Sequence, residues 1–278
     1  MNIHENVHLI RKEFFVTPTV KRYINIYLIT GRDCYLIDSG VAGSEELVGE
    51  YLRSIGRNMT DIKGIFLTHA HPDHAGGAAS IKRLTGCNIY APAKEINWIE
   101  DIDAQFLERP IPNFYQLLAE AAPVDCPVLD GDVIDLEEGL QIRAIETAGH
   151  SHGSMSYFLN EETVFTGDAI PQANDLPIFV DYEASMRSLD RISALSEASC
   201  FCPAWSDVFS SEELEKIIAD SRNLLLQLRD AAVWVEKEFA GMGENEKITE
   251  IMKRANVLQY AGNPLVVKSI EACRQVNL

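Results

Sequence analysis

Residues 64–77 read GIFLTHAHPDHAGG and place three of the chain's seven histidines, with an aspartate, between His69 and His74. The run before them, IKGIFLT (62–68), has the short apolar character of a buried strand. The run after them, DHAGGAASIKRLTG (73–86), reads as a helix ending at Gly86. The cluster therefore sits at a strand-to-helix junction. On an extended strand end, residues i and i+2 point the same way, so His69 and His71 can reach one ion. Asp73 and His74 open the helix, and the Gly-Gly pair behind them leaves the backbone uncrowded. Four metal-competent side chains at such a junction suit a transition-metal site with nitrogen and oxygen ligands. Left unpartnered and buried, the same groups would be costly, which disfavours four ordinary loop residues.

Two further segments supply matching groups. TAGHSHGS (147–154) carries His150 after a strand, flanked by small residues, and VFTGDA (164–169) carries Asp168 at the end of another apolar strand. A carboxylate there could bridge two ions. His152, two residues beyond His150, would line the pocket or face solvent.

The remaining pattern alternates. INIYLIT (24–30) and CYLIDSG (34–40) are β-branched and aromatic around a short GRD turn. SEELVGEYLRSIG (44–56) has helical spacing with Ser44 as an N-cap, and NIYAP (88–92) is a strand. Residues 93–123 interrupt the rhythm with two aromatic-rich helical pieces around Pro-Ile-Pro, an insertion that would serve as a lid or would cover the sheet edge. Strands return at 140–149, 154–160 and 163–168, a helix at 183–198, and SCFCPAW follows at 199–205. From Ser210 the chain reads as helical, opening on a Ser/Glu capping box, with GMGEN as a hinge before the last helices. The expectation is a layered α/β domain over 1–209 with a helical C-terminal extension over 210–278.

Taken in order, THxHxDHxGG, GHSxGS and TGD resemble the metallo-β-lactamase-fold hydrolase superfamily, and YLIDSG (35–40) resembles its early strand motif. The resemblance spans about residues 5–209. It implies a four-layer αββα sandwich with metals at one edge of two packed sheets. His69, His71 and His150 would hold one metal, Asp73 and His74 the other, and Asp168 would bridge them. Asp38 would stand behind the metal-binding loop. One position departs from the pattern: a late histidine usually closes the second site, yet no histidine follows His152, and Trp205 stands at that place. The second site would then be weak or empty, or Asp207 or Cys202 would substitute as a ligand, with Trp205 walling the pocket.

Such a site activates water, so the expected chemistry is metal-dependent hydrolysis of an ester, thioester, lactone or related bond in a small molecule. Asp73 would orient or deprotonate the water. Zinc is the first expectation, with one or two ions per chain, and iron or manganese would suit an oxygen-richer second site. A glyoxalase II-like branch shares the THxHxDH motif and the helical C-terminal part. The alternatives are a mononuclear iron oxygenase of the persulfide-dioxygenase type, using His69, His150 and Asp168, and a non-catalytic member of the family. The net charge of -18, from 24 basic and 42 acidic residues, argues against nucleic acid and anionic membranes as partners. No segment approaches the roughly 20 apolar residues of a membrane span. The polar start MNIHENVHLIRKEFF lacks a signal-peptide core, which points to the cytoplasm. The last helices would pack on the sandwich or form a homodimer contact.

Overall fold

The computed structural model describes residues 1–4, 6–173, 175–195 and 197–274. Position 196 of the expected helix over 183–198 and the end of the C-terminal run, 275–278, lie outside the described residues.

Two sheets form the centre. The first holds β1 (Asn2–His4), β2 (Val7–Thr17), β3 (Val20–Thr30), β4 (Cys34–Ile37), β5 (Ile62–Phe66), β6 (Asn88–Pro92) and β7 (Cys126–Val128) in chain order. It is antiparallel from β1 to β4 and parallel from β4 to β7. The second holds β8 (Val133–Glu137), β9 (Leu140–Glu146), β10 (Met155–Leu159), β11 (Thr163–Gly167), β12 (Cys200–Pro203) and β13 (Phe209–Ser210) in the order β13-β12-β11-β10-β9-β8. Only β11 and β12 run parallel there.

Each central strand is buried on both faces, which is why it reads as a continuous apolar run rather than an alternating one. Period-2 geometry divides its side chains between two cores. Tyr27, Ile29 and Phe66 point between the sheets and meet Tyr157, Phe165 and Ile142 of the second sheet. Ile26, Leu28 and Ile65 point outward, onto Val48 and Leu52 of α1 (Ser44–Ser54) and Ile81 of α3 (Ala78–Thr85). On the second sheet, Ile145, Phe158 and Val164 pack outward against α7 (Tyr182–Ser193), α8 (Ser211–Glu238), α9 (Glu244–Arg254) and α10 (Pro264–Arg274). Helix, sheet, sheet, helix is the expected four-layer order. Among the described residues, no helix is long and apolar enough to cross a membrane.

Several local expectations change. The α1 N-cap is Gly43, in the left-handed region, and Ser44 is the first helical residue with no side-chain cap. The helix expected over 73–86 is two, α2 (Pro72–Ala75) and α3, broken at Gly76-Gly77. The 93–123 insertion forms three short helices, α4 (Ile96–Glu100), α5 (Ile102–Glu108) and α6 (Phe114–Leu117). Strands β7 and β8 carry no strong alternation and are set by pairing with β6 and β9. The box opening α8 is present: the Ser210 N–H and hydroxyl both donate to Glu213.

Candidate metal centre

β4 and β5 are parallel neighbours, so the loops leaving both strands emerge on one edge. Asp38 follows β4 with φ 60°, a left-handed conformation uncommon outside glycine. That turn aims its carboxylate across the next loop. Oδ1 accepts from the Thr68 N–H at 2.8 Å, while Oδ2 accepts from the Thr68 hydroxyl at 2.9 Å and from His74 Nδ1 at 2.7 Å.

These contacts set the histidine tautomers. An acceptor-only carboxylate requires the proton on His74 Nδ1, leaving the Nε2 lone pair free. The Thr68 hydroxyl gives its single proton to Asp38, so at 3.0 Å it accepts from His69 Nδ1. The Ile178 carbonyl accepts from His150 Nδ1 at 2.9 Å. In their neutral forms His69, His74 and His150 therefore turn bare Nε2 atoms to the same space. His71 Nδ1 lies 2.8 Å from His69 Nε2 and 2.9 Å from His150 Nε2. Nitrogen lone pairs converge at that separation only around a cation or a shared proton. Asp168, at the end of β11, reaches His150 Nε2 at 3.2 Å with Oδ2 and His74 Nε2 at 3.4 Å with Oδ1. His74 Nε2 and Asp168 Oδ1 are buried with no hydrogen-bond partner. Buried polar atoms are rarely left so, and these two are what a cation would satisfy. Two groups could hold a metal ion, His69-His71-His150 and His69-His74-Asp168.

Electrostatics divide the histidines into two kinds. Burial pushes the pKa of His69 and His71 well below the usual imidazole value, aided by neighbouring histidines and Arg109, so both are neutral with lone pairs to give. Burial also lowers His74, but Asp168, Asp38 and Asp73 outweigh it and hold that imidazole well above its ordinary value. Asp73 has Oδ2 3.7 Å from His74 Nε2. Burial raises its carboxyl, opposed chiefly by His74.

The cleft over this cluster is lined by His71, Asp73, His150, Asp168, Arg109 and Trp205, among others. Trp205 follows β12 and lines the same cleft as Asp168. Its Nε1 is buried and unpartnered, the Arg22 guanidinium lies 5.3 Å over its ring, and Phe14 meets it edge-on at 6.2 Å. The other late candidates lie elsewhere. Asp207 has a side chain 89% exposed and paired with Arg11 at 2.9 Å, outside the lining of this cleft. Cys202 is buried between the sheets, with Sγ 3.9 Å from Cys200 Sγ. His152 is exposed and lines a neighbouring cavity with Trp98 and Lys268.

Three contributors have no sequence signal. Glu95, buried, accepts from the Ser151 hydroxyl at 2.7 Å and the Gly153 N–H at 2.6 Å through Oε1, and from the Ala70 N–H at 3.2 Å through Oε2. It ties the His69–His71 loop to the His150 loop. Gln105 donates to the Ala70 carbonyl at 2.6 Å. Arg109 follows α5 and reaches the cleft. All three come from the insertion, where a glutamate, glutamine or arginine in a short helix looks like any surface residue.

A four-layer sandwich with a cluster of histidines and carboxylates at one edge defines the class of metallo-hydrolases. Within that class the chain belongs to the Metallo-beta-lactamase superfamily, whose sequence model matches residues 19–203. A hydroxyacylglutathione hydrolase of Albidiferax ferrireducens is 26% identical over 253 residues, covering 88% of this chain and 77% of that protein. Another, from Hyphomonas neptunium, is 29% identical over 192 residues, covering 68% of this chain and 65% of the relative. In structure, a metallo-beta-lactamase family protein from Thermus thermophilus superposes with TM-score 0.72 at 19% identity, covering 97% of this chain and 93% of the other. That similarity concerns the fold.

Proposed function

We propose that the protein is a metal-dependent hydrolase of a small-molecule ester, thioester, lactone or related bond. The observation that carries this reading is the convergence of His69 Nε2, His71 Nδ1, His150 Nε2 and Asp168 beside an unpartnered His74 Nε2. The donors are imidazoles and carboxylates, a set that suits zinc and also iron or manganese. Bound by them, a divalent ion would supply water acidified toward a pKa of about 7 and a Lewis acid for the scissile carbonyl. The chain's own groups do the rest. Asp38, Thr68 and the Ile178 carbonyl hold the imidazoles in one tautomer. Asp73, at the cleft wall, orients the attacking water and takes its proton. Asp168 belongs to the second group and also reaches His150 of the first, at 3.2 Å. The hydroxyacylglutathione hydrolases among the relatives support a hydrolytic reading.

Metal content of the purified protein, followed by a panel of activated esters, thioesters and lactones, tests the proposal. His69→Ala and Asp168→Ala are expected to lose metal and to drop kcat/KM by more than the ~10–100-fold typical of residues behind the ligands. Wild-type turnover in either variant would overturn the site. One iron per chain with oxygen uptake and no hydrolysis would replace the hydrolase with the two-histidine, one-carboxylate oxygenase.

A further inference from the structure

Two arginines reach the cleft, and they differ in one respect. Arg22 is committed, its two terminal nitrogens each 2.8 Å from an oxygen of Asp175. Arg109 is only 8% exposed, yet among the described residues its guanidinium forms no hydrogen bond and no ion pair. Asp73, Asp168 and Glu95 attract it from beyond contact distance. Two of those three line the site read above as metal-binding, where a cation would take up their charge. The Arg109 nitrogens are not among the sealed, unpartnered atoms of the interior, so they open to the cleft, where a mostly desolvated guanidinium gains more from an anion than one in open water. The fork of N–H donors matches the two oxygens of a carboxylate. Arg109 also has a place suited to such a contact. It lines both the metal cleft and the adjoining cavity of Trp98, His152, Phe179, Leu265 and Lys268, and Ile178 is the other residue common to the two. In that second cavity Lys268 is occupied by the Glu108 carbonyl, at 2.5 Å.

We infer that Arg109 is the anchor for a carboxylate on the substrate, held where the metal cleft opens into the second cavity. The substrate class narrows accordingly, to small ester- or thioester-type molecules that carry a carboxylate near the bond to be cleaved. This inference rests on the hydrolase reading for what is cleaved, but not for what is bound.

The test separates the two. Isothermal titration of the metal-loaded protein with (benzylthio)acetate and with (benzylthio)acetamide measures the preference for acid over amide without any turnover. Attraction of the acid to the metal is common to wild type and variant, so it cancels when their preferences are compared at equal metal content. Arg109→Met is expected to lower the acid-over-amide preference by about 10- to 100-fold, the range of a lost charge-assisted contact. An unchanged preference, or wild-type protein that binds the acid no tighter than the amide, overturns the anchor. If Arg109→Met does not fold, Arg109→Lys keeps the charge without the fork and is expected to lower the preference by about threefold or more. No change there would be equally fatal. Acid preference that persists in wild type while every ester and thioester resists hydrolysis would leave the anchor standing and sink the hydrolase.

Discussion

At the scale of single residues, the centre depends on who donates to whom. Asp38 is held in a left-handed turn by its N–H bond to the Phe66 carbonyl and by its three side-chain contacts. Such a conformation persists only where the surroundings over-determine it. Trp205 raises the opposite question, since an indole N–H is a donor with no lone pair to give a metal. Trp205 lines the cleft with a buried, unpartnered Nε1, where a ligand is expected from the resemblance. Trp205→His is therefore expected to raise bound metal toward two per chain, read by elemental analysis. Unchanged stoichiometry would show that position 205 does not face the second ligand group. The motif histidines and Asp168 were legible at this scale because their types and spacing have one economical chemical use. Glu95 and Arg109 were not, since their roles arise only when 93–123 folds against distant loops, as when Glu95 meets Ser151, 56 residues away.

At the scale of elements, the decisive piece is the β5–α2 junction. Gly76 and Gly77 do more than leave it uncrowded. A Cβ on Gly77 would fall 2.3 Å from the Ser39 carbonyl oxygen, and one on Gly76 would fall 2.1 Å from the Leu117 carbonyl oxygen. The turn after β4 and the break between α2 and α3 are pressed together, and Ser39 donates to the His74 carbonyl from both its N–H and its hydroxyl. Gly77→Ala is expected to cost about 1–3 kcal/mol, the usual range for overpacking, read by urea denaturation. A variant as stable as wild type would mean that the loops yield freely. Apolar periodicity announced β5 and the helical stretch that follows it. The break at Gly76-Gly77 was hidden, because a glycine pair inside a helical pattern reads as tolerated until a second backbone occupies the space beside it.

At the scale of the whole molecule, the C-terminal helix α10 reaches the segment that orients His150. The Ser269 hydroxyl of α10 accepts from the Phe179 N–H at 2.9 Å, one residue from the Ile178 carbonyl that sets His150. Phe179 itself is buried in the core that α7, α8 and α10 share with the outer face of the second sheet. Ser269→Ala would leave a buried N–H unpaired, at a cost of about 1–3 kcal/mol in a urea melt. Through Ile178 it is expected to weaken metal binding by up to ~10-fold, read by chelator competition. Lost stability with unaltered metal affinity would sever α10 from His150.

What the amino-acid sequence determined by itself is local and chemical. Continuous apolar runs placed the central strands, because burial on both faces leaves no polar position to alternate. The THAHPDH spacing, with His150 and Asp168, marked side chains that the fold brings together into groups able to hold a metal, because strand geometry and donor chemistry allow few other uses. Tertiary structure alone decided which distant groups complete them. It sent Asp207 to solvent with Arg11, set Trp205 on the wall of the cleft, and brought Glu95 and Arg109 in from an insertion of ordinary polarity. Those roles depend on contacts between segments far apart in the chain, and no local pattern of residue types encodes a partner that only folding supplies.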